Sequence, residues 1–391
     1  MKEIVIVGAS RTAIGDFGGG LRTAMPMQLA EHIIRSVMKR SNIAPTDVQK
    51  VIFGCNFGPE EQNIARSAAI RSGIPQETPG FTINSTCGSS LQAIISGTQA
   101  IVCDECDVVL SGGVESMSNA PYIMPTARWG QRMRHLTAYD LLWRGMQEPL
   151  IGVGMGLTAE NLAEKYHISR QEQDEFALLS HKRAGSAIKE RKFSTEITPF
   201  IVPQRKGEPI IFDTDEHVRH DASIERLSSL QTIFKKDGTV TAGNACGMND
   251  GASAIILTHR NKAHELGLKP LARIRAYHVA GVDPDYMGIG PVPAIQGVLR
   301  KAKLNVEDID RYEINEAFAA QYLACEKELG LDREKVNIYG NGIALGHPVG
   351  ATGCRLIVTL LHQMLAENFN LGIASLCAGG GLGFAVLIER V

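Results

Sequence analysis

The chain has almost no net charge: over 391 residues, 40 Lys and Arg stand against 42 Asp and Glu, a formal balance of -2. No global basic field exists to attract nucleic acid, so an anionic ligand has to be held by local positive groups. Long apolar runs are missing too, and nothing reads as a membrane span. The start, Met1-Lys2-Glu3-Ile4-Val5-Ile6-Val7-Gly8, enters an apolar strand without the parts of a signal peptide, and Glu389-Arg390-Val391 is no peroxisomal address; a cytoplasmic location is expected. The eight cysteines (55, 87, 103, 106, 246, 325, 354 and 377) form no compact framework, which fits free thiols in a reducing compartment. Cys103 and Cys106 have CxxC spacing without a second pair or a nearby histidine, so no zinc site is expected.

What is abundant is glycine, 40 residues, within a composition 44% hydrophobic and 21% charged. This describes a globular protein rich in tight turns, long enough for two or three domains. Apolar runs at Ile4–Val7, Val51–Gly54, Phe81–Ile83 and Asp107–Gly112 alternate with helical patterns at Met27–Lys39, Asn63–Ser72 and Cys87–Val102, the β-α-β rhythm of a layered α/β domain. From Asn119 to about Met248 the chain is richer in charge and proline and reads as a helical and looped insertion, with amphipathic helices at Thr158–Tyr166 and Gln171–Lys189. Arg205, Lys206, Arg219, His220, Arg226, Lys235 and Lys236 gather much of its positive charge.

The second half repeats the first. Ile43–Val51 reappears as Leu304–Tyr312, and the same offset carries Cys87 onto Gly346-His347-Pro348, each ahead of a buried helix. The expected division is 1–118 with 249–269 as one half, 119–248 as the insertion and 270–391 as the other half. A pseudo-two-fold would bring Cys87 and His347 face to face. Cys87 at a helix start is expected to have a lowered thiol pKa, and neutral His347 is the natural base for it. Cys377 precedes Gly379-Gly380-Gly381, whose backbone N–H groups can reach a carbonyl oxygen unobstructed, as an oxyanion hole requires.

Asn84–Ile94, Gly112–Tyr122, Thr239–Asp250, Asn315–Gln321, Gly340–Gly353 and Cys377–Gly383, in this order across the whole chain, resemble the thiolase family, which makes or cleaves 3-ketoacyl-CoA by Claisen condensation. The resemblance implies a duplicated, layered α-β-α-β-α core with a helical and looped insertion domain. It implies that Cys87 is acylated, that His347 activates it, and that Cys377 exchanges the α-proton of the attacking acetyl-CoA. It places a water held by Asn315, together with His347, as one oxyanion hole and the backbone N–H groups of Cys87 and Gly379 as the other. Coenzyme A is expected along Arg219, at the phosphates, then Phe234, Ala242, Cys246 and Gly247, with Met155, Met287 and Phe318 around the acyl group.

The implied activity is acetyl-CoA acetyltransferase, reversible between two acetyl-CoA and acetoacetyl-CoA plus CoA; the alternative is a broader-chain-length 3-ketoacyl-CoA thiolase of fatty-acid β-oxidation. The CoA thioesters are substrates, so no cofactor and no metal are implied, nor any nucleic acid or membrane partner. A homo-oligomer, tetramer or dimer, is expected, with Arg128–Arg134 as a contact. The pattern is broken at Ser90 (commonly glycine), Gly154 (histidine), Cys246 and Arg226 (serine), and at Tyr339-Gly340-Asn341-Gly342, where Asn-Gly-Gly is usual.

Overall fold

The computed structural model of the chain describes residues 2–58, 61–148, 150–204 and 206–391; Arg205, counted above in the basic segment, lies outside them. The first half runs β1 (Ile4–Arg11), α1 (Pro26–Ser41), β2 (Lys50–Gly54), α2 (Ile64–Arg71), β3 (Gly80–Ile83), α3 (Ser89–Val102) and β4 (Val108–Ser116). The insertion contributes α4 (Met155–Lys165) and α5 (Arg170–Lys189), after which β5 (Asn249–His259) returns to the core. The second half is β6 (Ala272–Gly281), α6 (Pro291–Ala302), β7 (Arg311–Ile314), α7 (Ala319–Leu329), α8 (Val349–Glu367), β8 (Leu371–Ala378) and β9 (Leu382–Arg390).

One ten-stranded sheet carries both halves, in the order β7-β8-β9-β6-β1-β5-β4-β2-β3, with Gly15–Asp16 pairing off β5. Read outward from its middle, each half repeats one pattern: two antiparallel neighbours, then a parallel crossover strand, so that β1, β5, β4 and β2 correspond to β6, β9, β8 and β7. The halves join where β1 meets β6, through Val5 opposite Arg273 and Ile6 opposite Ala272.

Helix character follows burial. α1 hides one stripe, Leu29, Ala30, Ile33, Ile34 and Val37, begins with Pro26 and stops at Asn42 in the left-handed conformation, as an amphipathic outer helix should. α3 contains no charged residue and α8 has only Arg355 in its buried stretch, so both are apolar on all sides and form the central layer between the two half-sheets. Their residues share one core cluster with the inner faces of β1, β4, β5, β8 and β9, while α1 and α2 cover one outer face and α6 and α7 the other. The five layers implied by the resemblance are present. Among the described residues α8 is the one helix long and apolar enough to cross a membrane, but 78% of that stretch is packed inside the protein.

One strand end differs from the sequence reading: β4 runs on past Gly112 through Gly113 to Ser116. A methyl group on Gly113 would fall 2.0 Å from the Gly350 carbonyl oxygen, so this glycine admits close strand-to-helix packing rather than a turn. The insertion also holds two short ribbons, Tyr122–Ile123 with Tyr139–Asp140 and Phe200–Val202 with Ile210–Phe212. The arm around the first is strongly exposed, Trp129 at 89% and Met133 at 81%.

Candidate active site

Cys87 and His347 occupy equivalent places, each two residues before the first residue of a central helix. The helix starts touch. Ser90 Oγ accepts the Cys354 N–H at 2.9 Å, and a methyl group on Gly353 would lie 2.6 Å from Leu91 N. Ser90, one of the departures, is thereby committed to holding α3 against α8. Thr86, just before the thiol, has φ of 49°, the left-handed region that a β-branched residue enters only under constraint.

The expected lowering of the Cys87 pKa is not what the surroundings produce. The helix proper begins at Ser89, beyond the thiol; burial pushes the thiol up to about 11, against the pull of the N–H groups of Gly379 and of Cys87 itself. His347 is driven the other way, down to about 3, by burial and then by the Arg355 charge. The resting pair is therefore a neutral thiol and a neutral imidazole. A proton has to move when substrate arrives.

The His347 tautomer follows from its neighbours. Thr352 Oγ1 lies 2.9 Å from the Pro348 carbonyl oxygen and 2.7 Å from His347 Nδ1; its single hydrogen goes to the carbonyl, as is usual for a helical threonine, so Nδ1 carries the hydrogen that the hydroxyl accepts. Nε2 is then bare, buried and without a protein partner. Asn315, whose Nδ2 is 3.5 Å from Nδ1, leaves its buried Oδ1 unpartnered as well. Two such acceptors in one site are poised to meet a substrate or a proton. The His347 N–H donates to Asn249 Oδ1 at 2.9 Å, which fixes the turn.

The Cys377 turn closes the other side. Thr86 Oγ1 donates to the Gly379 carbonyl oxygen at 3.2 Å. Burial raises the Cys377 thiol far above its ordinary range, and the proximity of Cys87 adds to this; Cys246, pushed up to about 12, feels Cys87 in the same way. Three thiols therefore share one neighbourhood. Gly380 and Gly381 adopt φ of 85° and 72°, conformations that favour glycine. The hairpin is held by Glu148 of the insertion, whose Oε2 accepts the Gly380 N–H at 2.8 Å while Oε1 accepts that of Leu150 at 3.2 Å.

Residues expected along coenzyme A fall into an inner and an outer group. Met155 lies over Gly379, where a methyl group would meet its Cε at 2.5 Å. Phe318 stands edge-on to Phe234 with ring centroids 6.1 Å apart, and Phe234 covers Gly156, where a methyl group would be 2.1 Å from the ring. Cys246 donates its N–H to Ala317 O at 2.9 Å, and Gly247 lies against His217. Met287 is buried in the second-half core with Met155 packed beside it. Ala242 and Arg219 are on the surface. Arg219 donates its N–H to His181 Nδ1 at 3.2 Å and lines, with His181, Lys182 and His220, a cavity of about 240 Å³ whose wall, among the described residues, carries no carboxylate. Arg226 is paired with Asp221.

Two family models cover nearly all of the chain, the N-terminal thiolase domain over residues 4–261 and the C-terminal thiolase domain over 268–390. The chain belongs to the thiolase family. This thiolase is 50% identical to the acetyl-CoA acetyltransferase of Chromobacterium violaceum, over 99% of this chain and 100% of that protein. It superposes with a TM-score of 0.98 on the crystal structure of Bacillus anthracis acetyl-CoA acetyltransferase, at 48% identity over 100% of this chain and 99% of that one. With human mitochondrial 3-ketoacyl-CoA thiolase in complex with CoA the TM-score is 0.96 and the identity 42%, over 100% and 98% of the two chains.

Sequence reasoning on this thiolase missed Thr352, Asn249 and Glu148. Thr352 and Asn249 stand within quoted motifs, and their polarity inside apolar surroundings was a usable signal. Glu148 had none, because its partner is 232 residues away.

Proposed function

We propose that this thiolase catalyses the reversible Claisen condensation of two acetyl-CoA to acetoacetyl-CoA and CoA. The observation that carries the reading is the Cys87 thiol against the Gly379 N–H, with the Cys377 thiol close enough to feel its charge; His347, at the equivalent start of the other central helix, has a buried Nε2 without a protein partner. Cys87 Sγ attacks the thioester carbonyl as His347 Nε2 takes its proton, the Cys87 and Gly379 N–H groups hold the oxyanion, and the leaving CoA sulfur recovers the proton from His347. The product is acetyl-Cys87 and free CoA. Cys377 then gives its proton to His347 Nε2 and, as the thiolate, removes the α-proton of a second acetyl-CoA, whose enolate oxygen is held by the Nε2–H of His347 and a water at Asn315. The enolate carbon attacks acetyl-Cys87, the expelled Cys87 sulfur takes the proton from His347 Nε2, and acetoacetyl-CoA is released.

A raised thiol pKa suits this cycle, because both cysteines stay protonated until a substrate carbonyl is in place and act as proton donors in the return direction. Coenzyme A enters along Phe234, Ala242, Cys246 and Gly247, with its phosphates toward Arg219 and its acyl end among Met155, Met287 and Phe318. The exposed arm with Trp129 and Met133, and the unpaired outer edge of β3 with Phe81 42% exposed, fit contacts between copies, and we assign a cytoplasmic homo-oligomer. Thiolysis rates of acetoacetyl-CoA and a 3-ketooctanoyl thioester, with Cys87→Ala as blank, test the substrate. A marked preference for acetoacetyl-CoA is expected, and equal efficiency would overturn it. Sedimentation of a monomer would overturn the assembly.

A further inference from the structure

Glu115 lies on β4, wholly buried. Its Oε2 accepts the N–H groups of Asn56 at 3.1 Å and Gly350 at 2.9 Å, and its Oε1 accepts the Phe57 N–H at 3.0 Å with the Cys55 thiol 3.8 Å away. Every neighbour is a donor. A protonated acid would have to turn its O–H toward one of them, so the contact set suits the carboxylate even though burial disfavours the charge.

Two of these bonds lead to different sides of the active site. Gly350 is in the first turn of α8, three residues beyond His347. Asn56 continues toward the thiol: its Nδ2 donates to the Thr86 carbonyl oxygen at 3.2 Å, and Ser89 Oγ lies 3.2 Å from its Oδ1. The same Ser89 hydroxyl is 2.6 Å from Thr86 O and accepts the Ser85 N–H at 2.9 Å. The strained Thr86 conformation, and with it the direction of Cys87, is thus gripped by groups that end on Glu115.

Resting on the acyl-transfer reading above, we infer that Glu115 is a positioning residue that locks the turn bearing Cys87 to the turn bearing His347. Its carboxylate is bonded to the His347 turn at Gly350 and reaches the Cys87 turn through Asn56, while a second contact between the helix starts runs through Ser90 and Cys354 deeper in the core. It touches neither substrate nor the reacting sulfur.

The charge provides a readout that fold support alone would not move. Glu115 raises the Cys87 thiol, and Cys87 in turn raises those of Cys246 and Cys377; an anion at residue 115 opposes formation of a second one on the Cys87 thiol. Glu115→Gln keeps the shape, removes the charge and sets an amide N–H₂ against a donor. We expect kcat for condensation to fall about 10- to 100-fold with little change in KM for acetyl-CoA, and the pH profile of Cys87 alkylation by iodoacetamide to move to lower pH. Glu115→Asp, which keeps the charge on a shorter arm, loses kcat and leaves the alkylation profile in place. Wild-type kcat in Glu115→Gln, or an unmoved alkylation profile, overturns the inference. Should Glu115→Gln fail to fold, Asn56→Ala decides: lowered kcat with an unmoved profile supports the lock, and wild-type kcat overturns it. An inactive wild-type enzyme would instead sink the acyl-transfer reading, so the two failures are distinct.

Discussion

Removing the Thr352 hydroxyl tests the tautomer on which His347 depends. In Thr352→Val the Nδ1 hydrogen loses its acceptor inside the protein, a cost of about 1–3 kcal/mol for a buried donor left unpaired. The imidazole can avoid this by moving its hydrogen to Nε2. Asn315 favours that escape, because its Nδ2, 3.5 Å from Nδ1, can donate to the nitrogen once it is bare. With hydrogen on Nε2 the ring cannot accept the Cys87 proton, so the productive tautomer becomes a minority by about 5- to 150-fold. Acylation of Cys87 by acetyl-CoA, read as the pre-steady-state burst of released CoA, should slow by that factor, with KM nearly unchanged and the fold intact by circular dichroism. Thr352→Ser restores the hydroxyl and should restore the burst. A Thr352→Val enzyme that acylates at the wild-type rate, or a Thr352→Ser enzyme as slow as the valine variant, would refute the tautomer argument.

Three further outcomes follow from other parts of the molecule. Gly379→Ala puts a methyl group 2.5 Å from Met155 Cε; condensation should drop, and Met155→Ala should recover part of it in the double variant, giving a non-additive cycle in place of two independent losses. Arg11 is buried and donates to Glu196 and to both oxygens of Asp215; Arg11→Ala strands those carboxylates and should lower unfolding stability by about 3–5 kcal/mol, and a melting temperature within a degree or so of wild type would contradict this. Lys182→Ala with His220→Ala empties the basic wall beside Arg219; KM for acetyl-CoA should rise and become less salt-dependent, whereas KM for the 3′-dephospho analogue should hardly change, and equal effects on both substrates would detach this cavity from the phosphate end.

The repeat was readable because Cys87 and His347 stand at one offset before two apolar helices, and apolar spacing is a local property. The central layer was readable for the same reason, since helices without a polar face have nowhere else to go. The strand end at Gly112–Ser116 was not, because glycine that makes room for a helix and glycine that makes a turn look alike in sequence. The sign of the Cys87 shift was misread for a related reason: the helix end is local, while the burial that outweighs it comes from the other half of the chain. Glu148 and the grip of Asn56 on Thr86 belong to the same class of contacts between distant segments.

Acetyl transfer between acetyl-CoA and labelled CoA, measured beside acetoacetyl-CoA formation in Cys87→Ala and Cys377→Ala, tests the division of labour between the two sulfurs most directly. Cys377→Ala should still exchange CoA and trap acetate on Cys87 while losing condensation, and Cys87→Ala should lose both. Exchange that survives in Cys87→Ala, or an acetyl group found on Cys377 in the wild-type enzyme, would contradict it.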